Sequence, residues 1–188
     1  MRTLYLKKDE DRRVRAGHLW VFSNEVDLAR GPLRDFEPGE CARLVSQGGK
    51  PLGAVTVNPQ ALICARLYSR DPSRKLDADL LRSRLEAALA LRQRLFDRPS
   101  YRLVFGEGDF LPGLIVDRFG DFLAMQATTA AMDRQTATLA QLLSDLLKPS
   151  AILLKNDLAS RELEGLPRET RALLGTAPET GTAEEGGR

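Results

Sequence analysis

Any chemistry in this 188-residue chain has to come from a short roll of side chains. Glu107, Asp109 and Asp117 are carboxylates grouped in a turn-rich run, and such a trio can act as general acids or bind a divalent cation. Against this, Glu107 and Asp109 lie in Gly106-Glu107-Gly108-Asp109, where acidic residues are expected for turn formation alone. No histidine or further carboxylate is near enough in sequence to complete a site. His18 is the only histidine; without a second ligand or a neighbouring nucleophile, it reads as a structural residue with satisfied hydrogen bonds. Cys41 and Cys64 sit in strand-like settings without CxxC spacing, so they read as buried thiols, and neither zinc nor redox chemistry is indicated. Residue type therefore assigns no catalytic residue, no metal ligand and no cofactor-binding residue.

Positive charge is the other candidate. Residues 7–15 hold five bases and three acids, which reads most simply as a solvated turn or helix. The run Gly17-His18-Leu19-Trp20-Val21-Phe22-Ser23-Asn24 follows. Strand alternation puts Trp20 and Phe22 on one face, with Trp20 in the core. Ser23 and Asn24 can bond a phosphate or sugar, and can equally cap a turn. From Arg66 to Arg98 there are nine bases against five acids. Arg82, Arg84, Arg92 and Arg94 there form either a solubilising helix face or a phosphate-facing one. A net charge of +2 over the whole chain does not by itself argue for nucleic acid.

The elements that must position these residues are legible from periodicity. Arg2–Leu6 reads as a strand. After the loop from Gly31 to Glu40, Ala42–Ser46, Leu52–Val57 and Leu62–Tyr68 read as three more, separated by Gly- and Pro-rich turns. This is a small β module with a polar joint at 69–76. Asp77 then caps a helix whose apolar stripe is Leu81, Leu85, Ala88, Leu89, Leu95 and Phe96. Leu103–Phe105, Leu114–Val116 and Phe122–Met125 form an antiparallel meander with Gly120-Asp121 as its hairpin, and Asp117-Arg118 is an ion pair beside that turn. Thr128 or Thr129 caps a second helix, from about Ala131 to Leu147, which Pro149 stops. Ala151–Leu154 is a buried strand added to a small antiparallel sheet. Asp157, Arg161 and Glu164 read as charges pinning one another in a loop. Nothing approaches the ~18 consecutive apolar residues of a membrane span, and the amino terminus lacks an apolar secretory core, so a cytoplasmic protein without membrane contact is expected.

The string GEGDFLPGLIVDRFGDFLAMQ (106–126) resembles the GExDxLPGLxVDRxGxxLxxQ segment of the RlmI-type family of S-adenosylmethionine-dependent ribosomal RNA methyltransferases. GHLWVFSNEV (17–26) resembles that family's GHPWVFxxEI-like run, with Leu19 in place of proline. Lys155-Asn156-Asp157, Arg161 and Glu164-Gly165-Leu166 resemble its (R/K)xD…R…EGL signature. The resemblance implies an α+β chain: a PUA-like β pseudo-barrel over 1–72, then a small β-β-β-α-β domain of the EEHEE type with its preceding helix over 73–175. Residues 176–188 would be a disordered tail opening a methyltransferase domain that is missing here.

It also implies ribosomal RNA as partner, S-adenosylmethionine as the cofactor of the full-length family, and a homodimer as an assembly family members adopt. Lys7, Lys8, Arg12, Arg13, Arg15, His18, Ser23 and Asn24 become the expected RNA contacts. The Gly-rich strand-to-helix turn that such an enzyme needs, with an acidic residue ~20 further on, is absent. So is a cysteine in the context that attacks the cytosine ring. The expectation is an RNA-recognising amino-terminal portion that neither binds the cofactor nor methylates alone. A stand-alone RNA-binding module is the alternative, and a small metal-using enzyme built on Glu107, Asp109 and Asp117 is the weakest reading.

Overall fold

The computed structural model describes residues 1–176, so the expected tail beyond Thr176 lies outside the described residues. The chain divides into two units: Met1–Leu76 with Glu162–Leu166, and Asp77–Arg161 with the chain from Pro167 onward.

The first unit is built on a five-stranded sheet. β1 (Arg2–Tyr5) runs parallel to β3 (Glu40–Val45). β4 (Pro51–Val57) lies antiparallel between β3 and β5 (Ala65–Ser69), and the two-residue β2 (Trp20–Val21) borders β5. Period-two alternation sets the core of β3, where Ala42 and Leu44 are fully buried and Arg43 between them is exposed, and Leu4 of β1 joins them in the core. β4, with neighbours on both sides, is buried from Leu52 to Val57. Gly53 stands there at φ +150°, and an added Cβ would collide with the Ser69 carbonyl, so the closely packed bulge of β4 on β5 requires glycine. The strand expected from Leu62 begins only at Ala65, because Asn58 closes a turn by donating its N–H to Cys64 O at 2.8 Å.

Trp20 departs from its expected place in the core. It is 41% exposed, and Val21 is the buried residue of β2. Register explains the inversion: Val21 opposes the buried Ala65, while Trp20 opposes Arg66.

The second unit carries another five-stranded sheet. β6 (Ser100–Phe105), β7 (Leu114–Phe119) and β8 (Phe122–Ala127) form the expected meander, with Phe119 opposite Phe122 across Gly120-Asp121. β9 (Ala151–Asn156) is parallel to β8, which corrects the expected antiparallel sheet. The helical crossover between them returns the chain to the same end, as a parallel pair needs. β10 (Glu169–Leu174), unforeseen because it shows no clean apolar alternation, pairs with β9 and leaves an exposed edge.

Helix α2 (Ala78–Leu95) starts as expected, with the Asp77 carboxylate accepting Leu80 N–H at 3.0 Å. Its apolar stripe stops at Ala88. Leu91, Leu95 and Phe96 are exposed, and the last turns are held through Arg92 instead. The second expected helix is two, α3 (Ala130–Arg134) and α4 (Thr136–Leu147), broken at Gln135. Thr129 is the cap of α3. Among the described residues no helix is long and apolar enough to cross a membrane.

Candidate nucleic-acid surface

In the first unit, the segment after β1 holds α1 (Arg12–Arg15), and its bases divide into two groups. Lys7 and Arg13 are used internally. Lys7 Nζ donates to Asn24 O at 2.8 Å. Arg13 donates to Glu25 Oε1 at 2.9 Å, and its guanidinium carbon lies 5.0 Å from the Phe22 ring centroid. Glu25 organises this corner: it is buried, and Oε2 accepts Phe22 N–H at 2.8 Å. Arg13 and the Phe22 amide are thus drawn to a carboxylate that sequence reasoning passed over, and Lys7 binds the Asn24 carbonyl beside it. Its signal was the spacing, since Glu25 reaches back three residues as the acid of a capping box does.

Lys8, Arg12 and Arg15 project outward. Arg12 pairs with Asp9 at 3.1 Å, an exposed ion pair of the kind worth little, and Arg15 pairs with the half-buried Asp11. His18 is exposed. Around α1 stand five bases, Lys7, Lys8, Arg12, Arg13 and Arg15, interspersed with Asp9, Glu10, Asp11 and the buried Glu25. It is a field of mixed sign, which gives little long-range attraction for an anion.

The cysteines are free, Cys41 half-buried and Cys64 buried. The Cys64 thiol donates to Val21 O at 3.5 Å, and burial pushes its pKa up to about 12. A thiol so far from ionising is inert, as expected of a structural cysteine. Glu164, in the segment belonging to this unit, accepts from Arg66 and from Asn58 Nδ2, each at 2.7 Å.

In the second unit the charged side chains have partners within the structure, and Arg84 and Arg102 keep part of their surface in solvent. Arg92 forms a two-pronged pair with Asp109, and Arg82 pairs with Asp145 at 3.0 Å. A hydrogen bond from Gln141, then Arg82, holds the Asp145 carboxyl below its ordinary pKa. Arg84 donates to Phe110 O. Asp117 pairs across the sheet with Arg102 at 2.8 Å, not with Arg118 as expected, because Arg102 is its register partner. Arg118 donates to Gly120 O and Tyr101 Oη.

The pinning expected among Asp157, Arg161 and Glu164 is also replaced. Arg161 is fully buried and donates to Asp133, Ala127 O and Pro167 O. Asp109 and Asp117 are tied up by arginines, and among the described residues no group of three or more His, Cys, Asp or Glu is placed to hold a metal.

At the carboxyl ends of β8 and β9 the chain forms no glycine loop of the kind that cradles S-adenosylmethionine. The carboxyl end of β8 enters α3 through Thr128-Thr129, and β9 exits through Asp157-Leu158. Neither turn contains glycine, so neither offers the close backbone approach a nucleotide-like cofactor needs.

Residues 4–70 match the model of a PUA-like domain family. Proteins named Ribosomal RNA large subunit methyltransferase I match nearly the whole chain. The one from Erwinia tasmaniensis is 36% identical over 93% of this chain and 44% of its own length. That from an Escherichia coli O127:H6 strain is 34% identical over the same shares. The chain spans less than half the length of these curated relatives. Among solved structures, a candidate SAM-dependent methyltransferase from Streptococcus mutans superposes with a TM-score of 0.79 at 16% identity, covering 100% of this chain and 47% of that one. A second candidate methyltransferase, solved with SAH, gives 0.75 at 15% identity over 95% of this chain and 44% of that one. At such identities the likeness establishes the fold. An α+β chain with a PUA-like domain, matched along 93% of its length, is by descent a homologue of the ribosomal RNA large subunit methyltransferase I family.

Proposed function

We propose that this chain is the RNA-recognising portion of a class I S-adenosylmethionine-dependent 23S rRNA (cytosine-5) methyltransferase, and that its own residues bind rather than react. The observation that carries this reading is the PUA-like segment over 4–70, within a chain homologous to rRNA methyltransferases over 93% of its length. Residues 1–72 are read as the RNA-binding domain, their sheet as a PUA pseudo-barrel, and residues 73–175 as an EEHEE-type middle domain. The setting is the cytoplasm, and a homodimer is the assembly to look for.

The physical role assigned to Lys8, Arg12 and Arg15 is counterion release. Each phosphate they neutralise frees condensed cations and steepens the salt dependence of binding. Lys7, Arg13, Ser23, Asn24 and His18 are assigned to shaping or completing that surface. S-adenosylmethionine would supply the methyl group in the whole enzyme, and nothing in this chain is assigned to hold it.

Filter binding of a 23S rRNA fragment across a salt series tests the reading. Replacing Lys8, Arg12 and Arg15 by glutamate is expected to lower the log–log slope by about 0.7–0.9 for each phosphate no longer neutralised. An unchanged slope would make the patch merely solubilising. Calorimetry with S-adenosylmethionine is expected to show no saturable heat; saturation would put the cofactor site in this chain.

A further inference from the structure

A tight 3-10 turn, Gly106–Asp109, joins β6 to β7, and a phenylalanine stands on each side of it. Phe105 ends β6 and Phe110 follows the turn; they are 58% and 52% exposed. Neither ring joins the core, whose places here are taken by Leu103, Val104 and Leu111. Phe110 is held at φ +56°, ψ +29°. That left-handed conformation is disfavoured for a bulky side chain and is ordinarily left to glycine. An exposed ring on a strained backbone is a combination that folding alone does not select, and such positions cluster at functional sites.

Each ring also has an arginine beside it. The guanidinium carbon of Arg102 lies 5.6 Å from the Phe105 centroid, and that of Arg84 lies 5.8 Å from the Phe110 centroid. Both arginines are positioned, Arg102 by Asp117 and Arg84 by Phe110 O, while Arg92 and Asp109 fix the turn between the rings.

We propose that Phe105 and Phe110, with Arg84 and Arg102, form a platform on the second unit where unpaired bases of single-stranded RNA stack. Rings supply flat faces that accept any base, and guanidinium groups meet the phosphates between them. A peptide laid on the same rings would have to strip water from two guanidinium groups, whereas RNA brings anions to them. The proposal rests on the RNA-recognition reading and adds a second, single-strand-specific surface to the one on the PUA-like unit.

The test uses the whole chain with two RNAs: a short single strand carrying 2-aminopurine, whose fluorescence falls on stacking, and a closed hairpin of the same composition. The chain is expected to quench the 2-aminopurine. Replacing both phenylalanines by leucine should abolish quenching and weaken single-strand binding about tenfold or more, with hairpin affinity changed less than about twofold. Phe105→Trp should retain quenching. Phe110→Gly removes a ring while relieving the left-handed strain, so it should fold at least as well as the native chain and still lose quenching. Hairpin binding with leucine variants that quench and bind the single strand normally would overturn the platform and leave the RNA reading intact. Failure to bind either RNA would overturn both.

Discussion

Arg92 and Asp109 meet through two parallel hydrogen bonds, Nη1 to Oδ1 at 2.5 Å and Nη2 to Oδ2 at 2.8 Å, with side chains only 11% and 7% exposed. The same carboxylate accepts the Phe105 N–H at 2.6 Å, and Arg92 Nε donates to Arg102 O at 3.1 Å. One ion pair thereby closes the turn between β6 and β7 and anchors the last turns of α2, where apolar packing has run out.

Removing one member of a pair this dry should cost more than the pair contributes, because the other charge is left desolvated. Asp109→Asn is expected to destabilise the second unit by about 3 kcal/mol. Arg92→Lys, which keeps the charge and loses the fork, should cost about 1 kcal/mol. Urea unfolding at neutral pH checks both, and equal losses would show that the fork geometry, not the charge, carries the interaction.

Arg161 presents the stronger case of the same physics. It is fully buried and serves Asp133 and two carbonyls, so no truncated side chain can satisfy all three acceptors. Arg161→Gln is expected to lower stability by about 3–5 kcal/mol and to speed amide exchange in β8 and β9. Thermal melting with hydrogen exchange would expose a variant that keeps native protection, an outcome incompatible with this role.

Cys64 sets an alkaline limit. Its folded pKa is raised from about 9 to about 12 by burial, so the folded state favours the neutral thiol. The stability this contributes is complete below about pH 9 and is lost as pH rises toward 12, by up to ~1.4 kcal/mol per unit. Cys64→Ala should flatten that part of the stability profile. At pH 8, a thiol reagent should label Cys41 in the native chain and reach Cys64 only on unfolding.

Gly113 sits at φ +85°, and an added Cβ would collide with the side chain of Thr129, the cap of α3. Gly113→Ala is expected to cost about 1–2 kcal/mol for the backbone conformation alone, with the clash adding to it. Circular dichroism melts will show whether a shifted Thr129 relieves part of it, since Gly113→Ala combined with Thr129→Ser would then be less destabilising than the single change.

The amino-acid sequence by itself determined the local structure here. Gly120-Asp121 between apolar runs specifies a hairpin, Asp77 before an apolar stripe specifies a helix start, and strand alternation buries Leu4 and Leu44. These outcomes depend on neighbours a few residues away, which a linear reading sees. It also carried the family likeness, because that resides in short runs of residues, at 17–26, 106–126 and 155–166.

Partnership across the fold was decided only by tertiary structure. Asp117 chose Arg102 over the adjacent Arg118 because strand register set them opposite each other. Arg161 found Asp133, twenty-eight residues away, rather than Asp157 or Glu164. Trp20 faced outward because Val21 opposes Ala65. The parallel pairing of β9 with β8, and the exposure of Phe105 and Phe110, have the same origin. Charges and rings interact over a few ångströms in space, and which ones come that close is set by packing, not by spacing along the chain.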